Sequence, residues 1–92
     1  MKNEPRPRLT LLSRGWCHLC DEMRVALERM RTHCSFDLQI VDIDVDGNAA
    51  LERLYGEDIP VLLAGDQELC RHRLDPARIA AYLEARAPAP AG

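Results

Sequence analysis

The sequence predicts a single α/β domain with the element order β-α-β-α-β-β-α. Three observations carry this. Leu9-Thr10-Leu11-Leu12 and Val61-Leu62-Leu63-Ala64 have the length and composition of buried strands. Apolar residues recur at helical spacing from Leu19 to Met30, before a further run rich in Ile and Val. Gly65-Asp66 marks a hairpin turn directly behind the last apolar run. The strand–helix–strand opening calls for parallel pairing through a right-handed crossover, and the hairpin adds two antiparallel strands.

The elements follow in order. Residues 1–8 are polar with two prolines and residues 87–92 are a Pro/Ala tail, so both ends are expected to be disordered, leaving 9–86 for the fold. A domain of this size buries only about 60% of its unfolded surface, so modest stability is expected. Leu9 to Ser13 reads as a central strand, broken by Gly15. His18 to Arg31 reads as a helix with Leu19, Met23, Ala26, Leu27 and Met30 on one face. Asp21 and Glu22 in its first turn, and Arg29 and Arg31 in its last, follow the charge order that the helix dipole favours.

Phe36 to Ile43 begins with alternating apolar residues (Phe36, Leu38, Ile40) and reads as a strand. Ala49 to Tyr55 is a short helix expected to bury Leu51 and Leu54, with Tyr55 beside them, and to stop at Gly56 in the C′ position. Glu68 to Arg73 returns from the hairpin with the alternating charges of an edge strand. Asp75-Pro76 is an N-cap followed by N1, opening a last helix to about Arg86.

Composition excludes several functions. Twelve basic against fifteen acidic residues give a net charge of −3, and no basic stripe appears, which argues against nucleic-acid binding. One Trp, one Phe and two Tyr are too few for a base-stacking platform. No apolar run approaches the roughly 20 residues of a membrane span. No secretory leader is visible before Leu9, so a reducing, cytoplasmic location is expected. Four cysteines in such a compartment point to catalysis, metal binding or free thiols rather than to a structural disulfide framework.

The chemistry concentrates in Trp16-Cys17-His18-Leu19-Cys20. Cys17 falls where the helix begins, among backbone N–H groups that lack an intrahelical partner. The positive end of the helix dipole favours a thiolate there, and the thiolate is the form that attacks a disulfide. Cys20, one turn on, faces the same way and can close a disulfide with Cys17. A charged imidazole at His18 would favour the thiolate further; His18 also reads as a plain exposed helix residue.

A zinc site is the rival reading, with His33 and Cys34 as further ligands. If 18–33 is one helix, Cys20 and His33 lie thirteen steps of about 1.5 Å apart, roughly 20 Å, too far for one ion. Asp42-Ile43-Asp44-Val45-Asp46-Gly47 opens like a calcium-binding loop, but its twelfth position is Arg53 and a strand leads into it. A strand end followed by a helix cap at Asp46 or Asn48 is preferred. Cys34 and Cys70 read as structural thiols. His72 and Arg73 fall roughly level with Pro60, at the dithiol end of the sheet, and their plainer reading is a solvated edge pair.

The strand–CxxC–helix opening, the Val41-Asp42-Ile43-Asp44 strand end and Ile59-Pro60-Val61 before a hairpin resemble the glutaredoxin-like branch of the thioredoxin superfamily, over nearly all of 9–86. Among its members the small bacterial glutaredoxin-like proteins are the most similar. The resemblance implies a thioredoxin-like fold: a four-stranded mixed sheet of order β2-β1-β3-β4, helices one and three on one face and helix two on the other. It implies a cis-proline at Ile59-Pro60 set against the dithiol, with Pro60 shaping the groove and disfavouring metal capture. Several positions depart from the family pattern. The CxxC pair encloses His18-Leu19 with no proline. Arg14 stands where a lysine is usual. Arg71-His72-Arg73-Leu74-Asp75 replaces the stretch with the Gly-Gly pair beside which glutathione is held.

The expected function is therefore that of a thiol–disulfide oxidoreductase with a redox-active disulfide. Cys17 is the expected nucleophile and Cys20 the resolving thiol, supported by Trp16, His18, Ile59 and Pro60. Arg14, Arg73 and Asp75 are candidates for holding a thiol substrate. No metal and no bound cofactor are expected, with glutathione as a possible co-substrate only. The expected partner of a monomeric chain is a disulfide-containing protein or a small thiol; nothing indicates nucleic acid or membrane, or names the electron donor. The alternative is a non-enzymatic binding module of the same fold that meets a metal ion or a protein through the CxxC pair.

Overall fold

The computed structural model describes residues 6–45 and 47–86. Seven elements follow in the expected order: β1 (Arg8–Ser13), α1 (His18–Met30), β2 (Asp37–Asp42), α2 (Ala49–Tyr55), β3 (Val61–Ala64), β4 (Gln67–Arg71) and α3 (Pro76–Arg86). They form one four-stranded sheet of order β2-β1-β3-β4, with β1 parallel to β2 and antiparallel to β3. No helix among the described residues is long and apolar enough to cross a membrane.

β1 organises the sheet because both of its edges are paired and both of its faces are covered. Side chains alternate along a strand. Leu9 and Leu11 therefore enter one core, with Met23 and Leu27 of α1, Ile79 of α3, Phe36, Leu62 and Leu69. Leu12 enters a second, smaller core with Ile43, Val61 and Leu63, against which Leu51, Tyr55 and Ile59 pack. Thus α1 and α3 cover one face and α2 the other. All four residues of β3 are buried, as an uninterrupted apolar run in an inner strand requires.

The hairpin between β3 and β4 is closed by two residues. Ala64 pairs with Gln67, and Gly65 takes φ 60°, the left-handed value that a primed turn demands at its first position. A register shift between Leu62 and Leu63 leaves Leu69 as the extra residue of a bulge on β4. Asp75 caps α3: its carboxylate accepts the Arg78 N–H at 3.1 Å and its carbonyl accepts the Ile79 N–H at 3.1 Å.

Several boundaries and faces differ from expectation. β1 starts at Arg8, and the Pro7 carbonyl accepts the Asp37 N–H at 2.8 Å, so pairing with β2 reaches into the segment expected to be a tail. Residues 1–5 and 87–92, the rest of the expected tails, lie outside the described residues. Leu19, which helical periodicity places on the buried face of α1, is 41% exposed, while its neighbour Cys20 is buried. Ile40, at 47% exposure, lies on the outer strand β2, where no neighbour covers that row. Leu54 is 68% exposed; α2 is too short and too shallowly seated to bury both of its leucines.

Gly56 ends α2 in the right-handed region (φ −55°) rather than as a left-handed C′ glycine. Its need for glycine is spatial, since a Cβ there would stand 2.5 Å from the Glu52 carbonyl oxygen. The acidic stretch after β2 forms a turn. Asp42 accepts the Asp44 N–H on its carboxylate at 2.8 Å and the Asn48 side-chain amide on its carbonyl at 2.8 Å. Asn48 is the N-cap residue of α2 without a side-chain capping bond, and Asp46 lies outside the described residues.

Leu62→Ala removes a fully buried side chain from the larger core and should cost about 2–5 kcal/mol. Leu54→Ala should stay within about 0.5 kcal/mol, because its site is open to solvent. Urea unfolding of the two variants checks the pair.

Candidate functional site

The C-terminal end of β1 and the N-terminal end of β3 meet at one end of the sheet, where Leu12 pairs with Val61. One step beyond, the Ile59–Pro60 peptide is cis, and the Pro60 carbonyl accepts the His72 N–H from the end of β4 at 2.8 Å. The Arg14–Cys17 segment leaves β1 at this same end. The CxxC pair, the cis-proline and His72 therefore share one rim of the molecule.

Cys17 is the N-cap of α1. Its backbone is extended (φ −107°, ψ 105°), its carbonyl accepts the Asp21 N–H at 3.1 Å, and its Sγ accepts the Cys20 N–H at 3.1 Å. A cysteine thus fills the role that Ser, Thr, Asp or Asn usually plays, and the first-turn N–H groups point at sulfur instead of oxygen. The sulfurs of Cys17 and Cys20 lie at disulfide distance, with their Cα atoms 5.2 Å apart. Cys20 is buried (1% exposed) and Cys17 is half-buried, so only one sulfur of the pair meets solvent.

Trp16 is fully exposed, with φ at 61°. A bulky residue seldom adopts this left-handed value, which costs on the order of 1–3 kcal/mol. His72 has the same irregularity, φ 67°, across the rim. Two strained non-glycine residues therefore flank the dithiol. Neither is legible from sequence: Trp16 directly follows Gly15, the residue type that takes such a bend without strain.

The cations around this rim differ in what they already hold. Arg14 Nη2 contacts the carboxylates of Asp44, at 3.0 Å, and Glu52, while Nη1 donates to the Gly56 carbonyl at 3.4 Å. Its Nε is buried without a partner. Arg71 binds both carboxylate oxygens of Glu68, at 2.6 and 2.7 Å, and the Asp58 carboxylate at 2.9 Å. That second arm ties β4 to the residue preceding Ile59–Pro60. The Arg71 guanidinium holds the Glu68 carboxyl below its usual range. Arg73 and His72 make no ion pair among the described residues. Arg71 is the residue that sequence reasoning missed; its only signal was an acid three residues before it on a strand beside the Asp58-Ile59-Pro60 turn.

The other thiols stand apart. Cys34 and Cys70 are free, half-buried and packed against the larger core. Burial pushes the Cys70 thiol up, which disfavours its thiolate. Among the described residues no group of three or more His, Cys, Asp or Glu side chains converges as a metal site would require. α1 runs unbroken through Met30, so His33 and Cys34 lie at its far end from Cys20.

A family profile described as "Glutaredoxin-like domain (DUF836)" matches residues 8–84. The NMR structure of protein Ne2328 from Nitrosomonas europaea is 42% identical, covers 90% of this chain and 99% of its own, and superposes with a TM-score of 0.76. A thioredoxin-like protein of Synechocystis, slr0233, is 30% identical over 90% of this chain and 80% of its own length. Oxidised thioredoxin O2 of Arabidopsis thaliana shares the fold at 20% identity and a TM-score of 0.59, covering 88% of this chain and 75% of its own.

Two outcomes follow from this geometry. After reduction, iodoacetamide should label Cys17 well before Cys20, as read by peptide mass spectrometry; Cys20 labelled first would contradict the burial. Glu68, with its folded pKa below its ordinary 4.5, adds stability that is complete above that value and fades as pH falls through the folded pKa. Glu68→Gln should therefore lose up to about 1 kcal/mol at pH 7 for this partly exposed pair, and the loss should shrink towards zero at pH 3 in urea titrations.

Proposed function

The chain belongs to the glutaredoxin-like domain family, and we propose that it acts as a cytoplasmic thiol–disulfide oxidoreductase working through Cys17 and Cys20. One observation carries the reading: the solvent-facing sulfur of the pair caps α1, where a backbone N–H already donates to it. A thiolate formed at that place keeps this hydrogen bond and gains from the helix dipole.

In the reaction, the Cys17 thiolate attacks one sulfur of a substrate disulfide. A Cys17–substrate bond forms and the other substrate sulfur leaves as a thiolate that takes up a proton. Cys20, deprotonated, then attacks the Cys17 sulfur, closes the Cys17–Cys20 bond and expels the second substrate thiol. Two electrons pass from the dithiol to the substrate. The burial of Cys20 suits a resolving thiol, which needs to reach only Cys17.

Glutathione is, on this reading, a weak co-substrate. The Arg14 guanidinium is engaged by two carboxylates, so a ligand carboxylate must compete with Asp44 and Glu52. The Asp75 carboxylate already takes an N–H at the start of α3, where an anion would otherwise bind. Arg73 and Leu74 fill space that a Gly-Gly pair would leave open. A protein disulfide is the favoured substrate.

Cys17→Ser should abolish disulfide reduction. Cys20→Ser should retain the first attack and accumulate a mixed disulfide with Cys17, seen by intact mass. Two unreactive thiols in the wild-type protein would point instead to a binding module. Turnover of a glutathione mixed disulfide with glutathione as donor should be slow beside turnover with a thioredoxin reductase system. Brisk, saturable turnover at low millimolar glutathione would overturn the glutathione part of this reading.

A further inference from the structure

A groove of about 290 Å³ runs from the dithiol rim along α1. Leu19, Glu22, Met23 and Ala26 form its helix wall, and His72, Arg73 and Leu74, between β4 and α3, form the other. Two of its lining residues belong to the dithiol rim: Leu19 lies between Cys17 and Cys20 in the chain, and His72 donates its N–H to the Pro60 carbonyl. Its volume is at the bottom of the roughly 300–1,000 Å³ usual for small-molecule sites, which suits one or two side chains. From Leu19 to Ala26 the helix advances seven steps of about 1.5 Å, roughly 10 Å. That is the length of about three residues of extended chain.

The chemistry of the two walls differs. Buried Met23, with Ala26, Leu19 and Leu74, offers an apolar floor. Glu22 puts a negative charge on the helix side. Opposite it, Arg73 is exposed and makes no ion pair among the described residues, whereas Arg14 and Arg71 are each engaged by two carboxylates. The positive charge left open to a ligand beside this groove is therefore that of Arg73.

We propose that this groove reads the sequence around the substrate cysteine and selects an extended polypeptide segment carrying an apolar and an acidic residue within three positions of it. The apolar side chain packs on Met23 and Leu74, and the acidic one meets Arg73 while Glu22 turns it away from the helix wall. The proposal rests on the oxidoreductase reading above and names the substrate class of the same site. The electrons still come from the Cys17–Cys20 dithiol, which ends as the disulfide.

The test uses the full chain, reduced and freed of reductant, against short peptides joined by a disulfide to mercaptoethanol. The set is Cys-Leu-Glu, Cys-Leu-Lys and Cys-Ser-Glu, each also in reverse order, with hydroxyethyl disulfide and glutathione disulfide alongside. In at least one order the Leu/Glu peptide should be reduced fastest. Changing Glu to Lys should slow it by about three- to fivefold, the size of one exposed charge pair, and high salt should shrink that ratio. Arg73→Gln should bring the Glu and Lys peptides together, and Arg73→Glu should invert their order. Equal rates for the two peptides in the wild type, or an unchanged order in Arg73→Glu, would overturn the proposal. So would glutathione disulfide outrunning every peptide with the same dependence on Arg73. Failure to reduce hydroxyethyl disulfide at all would instead bring down the oxidoreductase reading, and the groove's role with it.

Discussion

The site depends on the junction of β1 with α1, where a cysteine takes the place of a polar helix cap. β1 is held by strands on both sides and by a core on each face, so its end has little freedom. The chain then turns through a strained Trp16 and enters α1 with the Cys17 sulfur on the Cys20 N–H. One constraint thereby fixes the exposure of one thiol, the burial of the other and the direction of the helix dipole. The cis peptide, His72 and Arg71 matter because they gather at the rim this junction defines.

Much of this was legible in the sequence, and for local reasons. A CxxC pair between an apolar run and a periodic one places a dithiol at a helix start whatever follows. Gly65-Asp66 sets its turn by backbone preference, and Asp75-Pro76 sets its helix start by side-chain capping and a fixed φ. The sheet order came from family likeness rather than periodicity, because local patterns do not say which strands become neighbours.

The misreadings share a cause. Leu19, Ile40 and Leu54 each lie on the correct apolar face of their element, yet each is 41% exposed or more: Ile40 sits on the edge strand and Leu54 on a seven-residue helix that buries none of its residues. Periodicity tells which way a side chain points and not whether anything stands there. The pairing of Arg14 with Asp44 and Glu52 joins residues 30 and 38 positions apart, and Arg71 reaches Asp58 across the hairpin. Charge partners so far apart are set by the fold, and they decide which cation a substrate meets.

The two cores are unequal, and this grades the molecule's resistance to opening. α1 and α3 anchor buried side chains in the larger core, whereas α2 has none of its own. A seven-residue helix seated on partly buried contacts is the kind of unit that detaches at a fraction of the global unfolding free energy. Breathing should therefore begin on the α2 face, while the sheet and α1 stay closed. The dithiol rides on the tier that opens last, so its geometry outlives much of the motion that the rest of the chain undergoes.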